Sequence, residues 1–357
     1  MEYLIMMEHE TLPNDTYNKI LIIQTAFIGD TILVTPLIRA ARHFFPQTQI
    51  DIMVIPQTAP LLDNNPHIQH IIRFDKRDQK RKAFVQTLKQ LRATNYDLAL
   101  APHSSMTSAL LMKCSGIPRR IGFNRHFARY LLTDRIDYLA NQLEIDRNLQ
   151  LMSVFTAKPF DRQTELFPLT EDFENVRNML SKGGQVPIRI GIAPGSVWPT
   201  KRWPQSYFIT LTDLLDRHNA QCIFIGSRHE QTLCRSIIEK SGAQHAVNLA
   251  GKLSLLESAA AIQQCSVVVT NDSGALHIAN AMQTDVYAIF GPTVRSFGFF
   301  PFRENDVVFE NEHLYCRPCA KHGGKKCPEK HFRCMLEIHP KTVFNVLSRN
   351  YHLSSNS

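Results

Sequence analysis

Residues Lys19 to Pro36 read KILIIQTAFIGDTILVTP: an apolar run, a turn holding Gly29 and Asp30, and a helical pattern that begins at once. A strand that feeds a helix through so short a turn belongs to the βαβ unit of a parallel sheet. Open α/β folds gather their ligands at the carboxyl edge of such a sheet, so Asp30 is expected there. This is not the dinucleotide fingerprint. The turn has a single glycine where G-x-G-x-x-G needs three, and it offers a carboxylate where a phosphate would meet bare backbone. Asp30 is therefore either the N-cap of the next helix or a base facing a cleft.

The same alternation fills both halves of the chain. Strands are predicted at Ile20–Thr25, Gln49–Ile55, Ile68–Phe74 and Leu98–Ala101. Helices are predicted at Leu33–Phe45, Phe84–Thr94 and Met106–Cys114, with a short one from Ala59 to Leu62. Asp134–Phe155 also has a helical pattern. The pattern breaks at SKGGQVP and restarts with strands at Ile188–Ala193, Cys222–Ile225, Ala246–Asn248, Ser266–Thr270 and Asp285–Phe290. Between them lie helices at Gln205–His218, Glu230–Lys240, Leu255–Gln264 and Ala275–Ala281. The fold class is α/β: two doubly wound halves that meet near residues 170–187, with a cleft between their sheet edges.

A chain of 357 residues can build a core in each half. Its 44% hydrophobic and 20% charged content is that of a soluble globular protein. No apolar run approaches the roughly 18 residues of a membrane span. The first eighteen residues lack the basic start and cleavage site of a secretory signal, so a cytoplasmic location is expected. The net charge of +8 favours anionic partners, and its densest run is Arg73–Lys82, RFDKRDQKRK, which reads first as a solvated helix face. With no RNA-recognition or zinc-finger spacing, nucleic acid is not expected among them.

Three further segments carry candidate chemistry. In IGIAPGSVWPTKRWP a strand ends at Pro194; Gly195 permits close backbone approach, Ser196 can donate a hydrogen bond, and Lys201 can set a cation on a diphosphate. An ordinary surface loop with Trp203 packed beneath it is the alternative. In VVVTNDSGALHIANAM a strand runs into Asn271, Asp272, Ser273 and Gly274, and a helix carries His277 one turn in. That helix start is an anion site; Asp272 can cap the helix or bind a ligand hydroxyl, and His277 is either a core histidine or a ligand contact. In CIFIGSRHEQ, Glu230 can accept both hydroxyls of a ribose or simply face solvent in the first turn of its helix. His103 and Ser104, with Ser105, follow the Leu98–Ala101 strand at the same sheet edge as Asp30 and Gly29, and all are candidate ligand contacts.

The segments AFIGDTILVTP, PGSVWPTKRWP and NDSGALHIANA, in this order and spacing, resemble bacterial heptosyltransferases of glycosyltransferase family 9. IFGPT at 289–293 and RRIGF at 119–123 add to the likeness, which spans about residues 19–345. The resemblance implies a glycosyltransferase-B architecture with an extension at 1–18, an acceptor domain at 19–169, a linker at 170–187, an ADP-sugar domain at 188–345 and a tail at 346–357. It implies Asp30 as catalytic base, Lys201 and Ser196 on the diphosphate, and Asp272, Ser273, Gly274 and His277 at the donor site. Glu230 falls where the family binds ribose. ADP-heptose and the lipopolysaccharide inner core are the implied substrates, and the inner face of the cytoplasmic membrane the implied location. The PGS…KRWP form is that of members which add heptose to an existing heptose; transfer to Kdo-lipid A is the alternative.

The chemistry suits these residues independently of the likeness. Inverting transfer needs one base for the acceptor hydroxyl and charge stabilisation for the departing diphosphate. No Asp-x-Asp metal motif occurs, so no cofactor is expected to be required. The run Arg73–Lys82 can then meet lipid phosphates at an anionic membrane surface. Four of the eight cysteines, Cys316, Cys319, Cys327 and Cys334, cluster near the end of the chain. Their first pair has zinc-ligand spacing and the second does not, so structural zinc, reduced packing thiols, and disulfides or an iron–sulfur cluster all stand as readings. No motif sets them at the cleft. Two other classes compete with the transferase: a Rossmann oxidoreductase, opposed by the missing glycines, and a zinc-tailed nucleic-acid-binding protein, motivated by charge and cysteines.

Overall fold

The computed structural model describes residues 17–75, 80–181 and 188–353. Nearly all of the expected N-terminal extension, the centre of the basic run at 76–79, the break at 182–187 and the last four residues lie outside this description.

The first sheet contains β1 (Lys19–Gln24), β2 (Gln49–Val54), β3 (His70–Arg73), β4 (Leu98–Ala101), β5 (Arg119–Phe123) and β6 (Asp134–Ile136). Its spatial order is β3-β2-β1-β4-β5-β6, with every neighbour parallel. The second contains β7 (Ile188–Ala193), β8 (Ala220–Phe224), β9 (Val247–Asn248), β10 (Val267–Asn271), β11 (Asp285–Phe290) and β12 (Val307–Glu310). Its order, β12-β11-β10-β7-β8-β9, is the same winding read from its own first strand, again all parallel. Two Rossmann-like domains therefore form, as the alternation predicts.

Both faces of each sheet are covered, which explains the unbroken apolar runs. Ile20 and Ile22 point into one core of the first domain, while Leu21 and Ile23 point into the other. The covering helices of the first half are α1 (Ile28–Leu33), α2 (Thr35–Phe44), α3 (Lys80–Thr94), α4 (Met106–Cys114), α5 (Glu144–Gln150) and α6 (Thr170–Leu180). Those of the second are α7 (Gln205–Arg217), α8 (Gln231–Ser241), α9 (Leu255–Gln263), α10 (Gly274–Ala281), α11 (Arg333–Leu336) and α12 (Pro340–Tyr351).

Three stretches differ from the sequence pattern. The helix expected over Leu33–Phe45 begins five residues earlier and is broken at Val34 into α1 and α2. Pro36 has no N–H for the Ile32 carbonyl, which accepts from the Thr35 hydroxyl at 2.8 Å instead. Asp134–Phe155 is not one helix: Asp134–Ile136 adds the edge strand β6 beside β5, and helix resumes only at α5. Tertiary pairing overrides local preference there. The expected linker carries α6, whose Val176 and Leu180 pack with Leu249 and Ala260 of the second domain.

Candidate active site

In each sheet the strand order reverses between the first and fourth strands, and ligands of open α/β folds bind outside that switch point. Asp30 follows β1, and His103 and Ser104 follow β4. Pro194, Gly195 and Ser196 follow β7, and Asp272, Ser273 and Gly274 follow β10. Most of the residues singled out from sequence thus lie at the switch point of one sheet or the other.

Asp30 is the third residue of α1 rather than part of the preceding turn, and its Oδ2 accepts the Phe27 N–H at 3.1 Å. The N-cap itself is Phe27, so Asp30 is not the N-cap but closes the cap from the third helical position, with its carboxylate half-buried. Burial raises the Asp30 pKa to about 6, helped by the charge of Glu144 and opposed by backbone hydrogen bonds and by Lys321. The side chain is thus held where it can take a proton near neutrality.

The domains interlock beside it. A Cβ on Gly274 would lie 2.9 Å from Ile28 Cγ2, and one on Gly29 would lie 2.6 Å from His277 Cδ2 and 2.9 Å from Nε2. The starts of α1 and α10 therefore touch through bare α-carbons. Gly29, expected at the acceptor, faces the His277 ring. Burial pushes the His277 pKa down to about 4, against the pull of Asp272 and with the push of Lys201. The ring is neutral at pH 7 and can exchange hydrogen bonds without adding charge. A second clamp lies at α5, where the buried Arg147 donates to the Phe297 carbonyl at 2.7 Å and Glu144 N–H donates to Gly298 at 2.9 Å.

Asn271 organises the loop that follows β7. Its Nδ2 donates to the Pro194 carbonyl at 2.8 Å and its Oδ1 accepts from the Trp203 N–H at 2.9 Å, so one buried amide holds both ends. Trp203 is buried under the loop and donates to the Ile338 carbonyl at 2.9 Å. Lys201 ends a 3-10 turn at Pro199–Lys201, and its Nζ meets Asp272 Oδ2 at 2.5 Å. The Thr293 hydroxyl donates to the same oxygen at 2.6 Å. Asp272 therefore positions Lys201 and does not cap α10; the N-cap is Ser273, whose hydroxyl shares a hydrogen bond of 3.1 Å with Thr270. Ser196 is buried, and its carbonyl accepts from Arg202 Nε at 2.8 Å. Glu230 closes the other side: its Oε2 accepts the Ser227 N–H at 2.6 Å, and its carboxylate occupies the space a Cβ on Gly195 would fill, 1.5 Å from Oε1. On the first domain, His103 and Ser104 line a small recess with Ser105, Phe123 and Ala128.

Sequence reasoning missed several participants. Glu144 has no motif, and its influence on Asp30 arises only from packing. Thr293 lies in IFGPT, a segment noted for likeness but given no role. The cysteine-rich segment does reach the loop that carries Lys201: Gly324 and Thr200 hydrogen-bond in both directions, with Lys321 and His322 just before Gly324 in sequence. All eight cysteines are unpaired. Among the described residues, no group of three or more His, Cys, Asp or Glu side chains stands where it could hold a metal ion. Burial, with Cys319, Cys327 and Cys316 nearby, raises the Cys334 thiol to about 11.

Residues 84–332 match the profile of glycosyltransferase family 9 (heptosyltransferase). The chain belongs to glycosyltransferase family 9. Its family relatives include lipopolysaccharide heptosyltransferase 2 of Salmonella typhimurium, 28% identical over 78% of this chain and 84% of that one. Lipooligosaccharide heptosyltransferase 2 of Haemophilus ducreyi is 29% identical over 93% of this chain and 99% of that one. Among solved structures, the E. coli ADP-heptose lipopolysaccharide heptosyltransferase II superposes with a TM-score of 0.76 at 27% identity, covering 93% of this chain and 98% of that one. A family 9 glycosyltransferase from Veillonella parvula superposes at 0.85 with 19% identity, over 96% of this chain and all of that one, and shares the fold. The glycosyltransferase-B architecture stands, and family 9 membership replaces the oxidoreductase and nucleic-acid-binding readings with a heptosyltransferase-type enzyme.

Proposed function

We propose that this family 9 enzyme transfers L-glycero-D-manno-heptose from ADP-heptose to heptosyl-Kdo-lipid A of the lipopolysaccharide inner core, with inversion and with Asp30 as general base. One observation carries the reading: a carboxylate with its pKa raised to about 6 stands where α1 meets the start of α10, across the cleft from the Lys201–Asp272 pair. In the reaction the acceptor hydroxyl oxygen bonds to the anomeric carbon and its proton passes to Asp30. The bond from that carbon to the β-phosphate oxygen breaks, and its electron pair leaves with ADP. Lys201, Ser196 and the N–H groups at the start of α10 stabilise the departing diphosphate. Glu230 binds the ribose hydroxyls, and neutral His277 orients groups between the two halves. His103 and Ser104 serve the acceptor. None of these roles calls on a cofactor or a metal.

The names of the relatives support the second heptose as the step, and a lipid-borne acceptor requires contact with an anionic bilayer. Among the described residues no helix is long and apolar enough to cross a membrane. A surface patch supports peripheral contact, which this reading assigns to the cytoplasmic side. Phe127 is 76% and Tyr130 60% exposed, beside the exposed Met106 and Leu110 of α4. Arg129 stacks 4.8 Å over the Tyr130 ring, Arg135 lies 6.0 Å from it, and Arg125 is close in sequence. Aromatic groups flanked by arginines suit the interface of an anionic membrane. The patch borders the recess of His103 and Ser104 through Ala128.

Incubating the protein with ADP-heptose and either Kdo-lipid A or heptosyl-Kdo-lipid A tests the proposal by product mass. Addition of one heptose to heptosyl-Kdo-lipid A supports it. Addition only to Kdo-lipid A assigns the first transfer instead, and no transfer to either refutes both.

A further inference from the structure

We infer that the basic loop between Cys319 and Cys327 is a second clamp on the donor's diphosphate, with Lys321 as its phosphate ligand. The inference rests on the donor-site reading above and adds a residue outside its motifs. The reason is a shortage of positive charge. Lys201 is already neutralised by Asp272 at 2.5 Å, with 13% and 10% of the two side chains exposed. Besides that charge-compensated ammonium, only Ser196 and the partial charge of a helix start face a diphosphate that becomes more anionic as its sugar departs.

The loop reads CAKHGGKKC, with Lys321, Lys325 and Lys326 and no carboxylate. Gly324 N–H donates to Thr200 Oγ1 at 2.7 Å, while Thr200 N–H and Oγ1 donate back to the Gly324 carbonyl at 3.1 and 3.0 Å. Gly323 has φ +89° and comes so near that a Cβ would lie 3.0 Å from Trp198 Cβ and 3.1 Å from Lys201 Cγ. At the other end Cys319 N–H donates to the Pro292 carbonyl at 3.3 Å, next to the Thr293 that binds Asp272. The loop is therefore stapled to both segments that hold the Lys201–Asp272 pair. Lys321 and His322 lie between the staples, exposed to solvent. Their charges are felt where this placement requires: Lys321 acts on Asp30, and His322 responds to Lys321, Lys201 and Asp272. Lys321 thus sits on a loop held against the Lys201–Asp272 pair, from which an ammonium can reach the leaving group.

Calorimetric titration of the full-length protein with ADP and with adenosine tests this. Lys321→Ala should weaken ADP by roughly tenfold or more, as expected for a lost charge-assisted hydrogen bond, and leave adenosine unchanged. Lys321→Arg should restore most of the affinity. Equal ADP affinity in wild type and Lys321→Ala would overturn the inference while leaving the donor site intact. So would a parallel loss of adenosine, which would mark a structural role. A wild-type protein that does not bind ADP at all would remove the donor-site reading and the inference with it.

Discussion

The imidazole of His277 lies against the bare α-carbon of Gly29, joining a helix of each domain beside Asp30. The contact ties the proposed base in one half to the helix proposed to bind the donor in the other. It also gives Gly29 a packing reason to be glycine, since a Cβ there would stand 2.6 Å from the ring.

Gly29→Ala should force α1 and α10 apart. Overpacking of this kind destabilises by about 1–3 kcal/mol, and transfer should fall more than stability does because Asp30 moves with α1. Denaturant unfolding and initial rates on the same preparation separate the two effects; unchanged rates would show that the contact is dispensable.

The pH profile should report Asp30. A general base works deprotonated, so kcat/KM should rise with pH and level off above about 6. Glu144→Gln removes a like charge and should move that limb to lower pH. The sign for stability is opposite: between about 4 and 6 the folded state holds a proton that the unfolded carboxyl has released, so the contribution of Asp30 is lost as pH rises through this window. Asp30→Asn should flatten that slope in urea titrations.

Glu230 occupies space that Gly195 leaves open. Gly195→Ala should displace the flexible carboxylate with little loss of fold, and both it and Glu230→Gln should reduce the preference for ADP over 2′-deoxy-ADP. Competition binding decides; a preference intact in both variants would contradict a ribose role.

Asp272→Ala should leave the Lys201 ammonium without its partner in a nearly enclosed site. Removing one member of such a pair destabilises by about 3 kcal/mol or more, whereas Lys201→Ala should mainly weaken donor binding and turnover together. A thermal melt of Asp272→Ala at the wild-type temperature would count against the anchoring role.

The doubly wound halves were legible because continuous apolar strands and short turns leave few other folds. The switch-point residues were legible because they terminate those strands. What escaped depends on contacts between distant segments. Nothing local tells that Asp272 would hold Lys201 instead of capping α10, or that Glu144 would act on Asp30. The cysteine spacing drew attention to metal, while the Gly-Gly pair inside it carries the contact with Thr200. Asp134–Ile136 looked helical because only its neighbour β5 makes it a strand.

The aromatic patch should govern membrane contact. Phe127→Ser with Tyr130→Ser should reduce co-sedimentation with phosphatidylglycerol vesicles and spare turnover of a soluble, delipidated acceptor. Undiminished sedimentation would move the contact elsewhere on the surface.

The central claim is that Asp30 is the base, and Asp30→Asn tests it most directly. An asparagine oxygen can still accept the Phe27 N–H, so the helix cap survives while the proton acceptor is lost. Transfer from ADP-heptose to heptosyl-Kdo-lipid A, followed by product mass, should drop by roughly 10²–10⁴-fold with donor affinity nearly unchanged. Turnover close to wild type in this variant would mean that Asp30 is only a cap and that the base lies elsewhere.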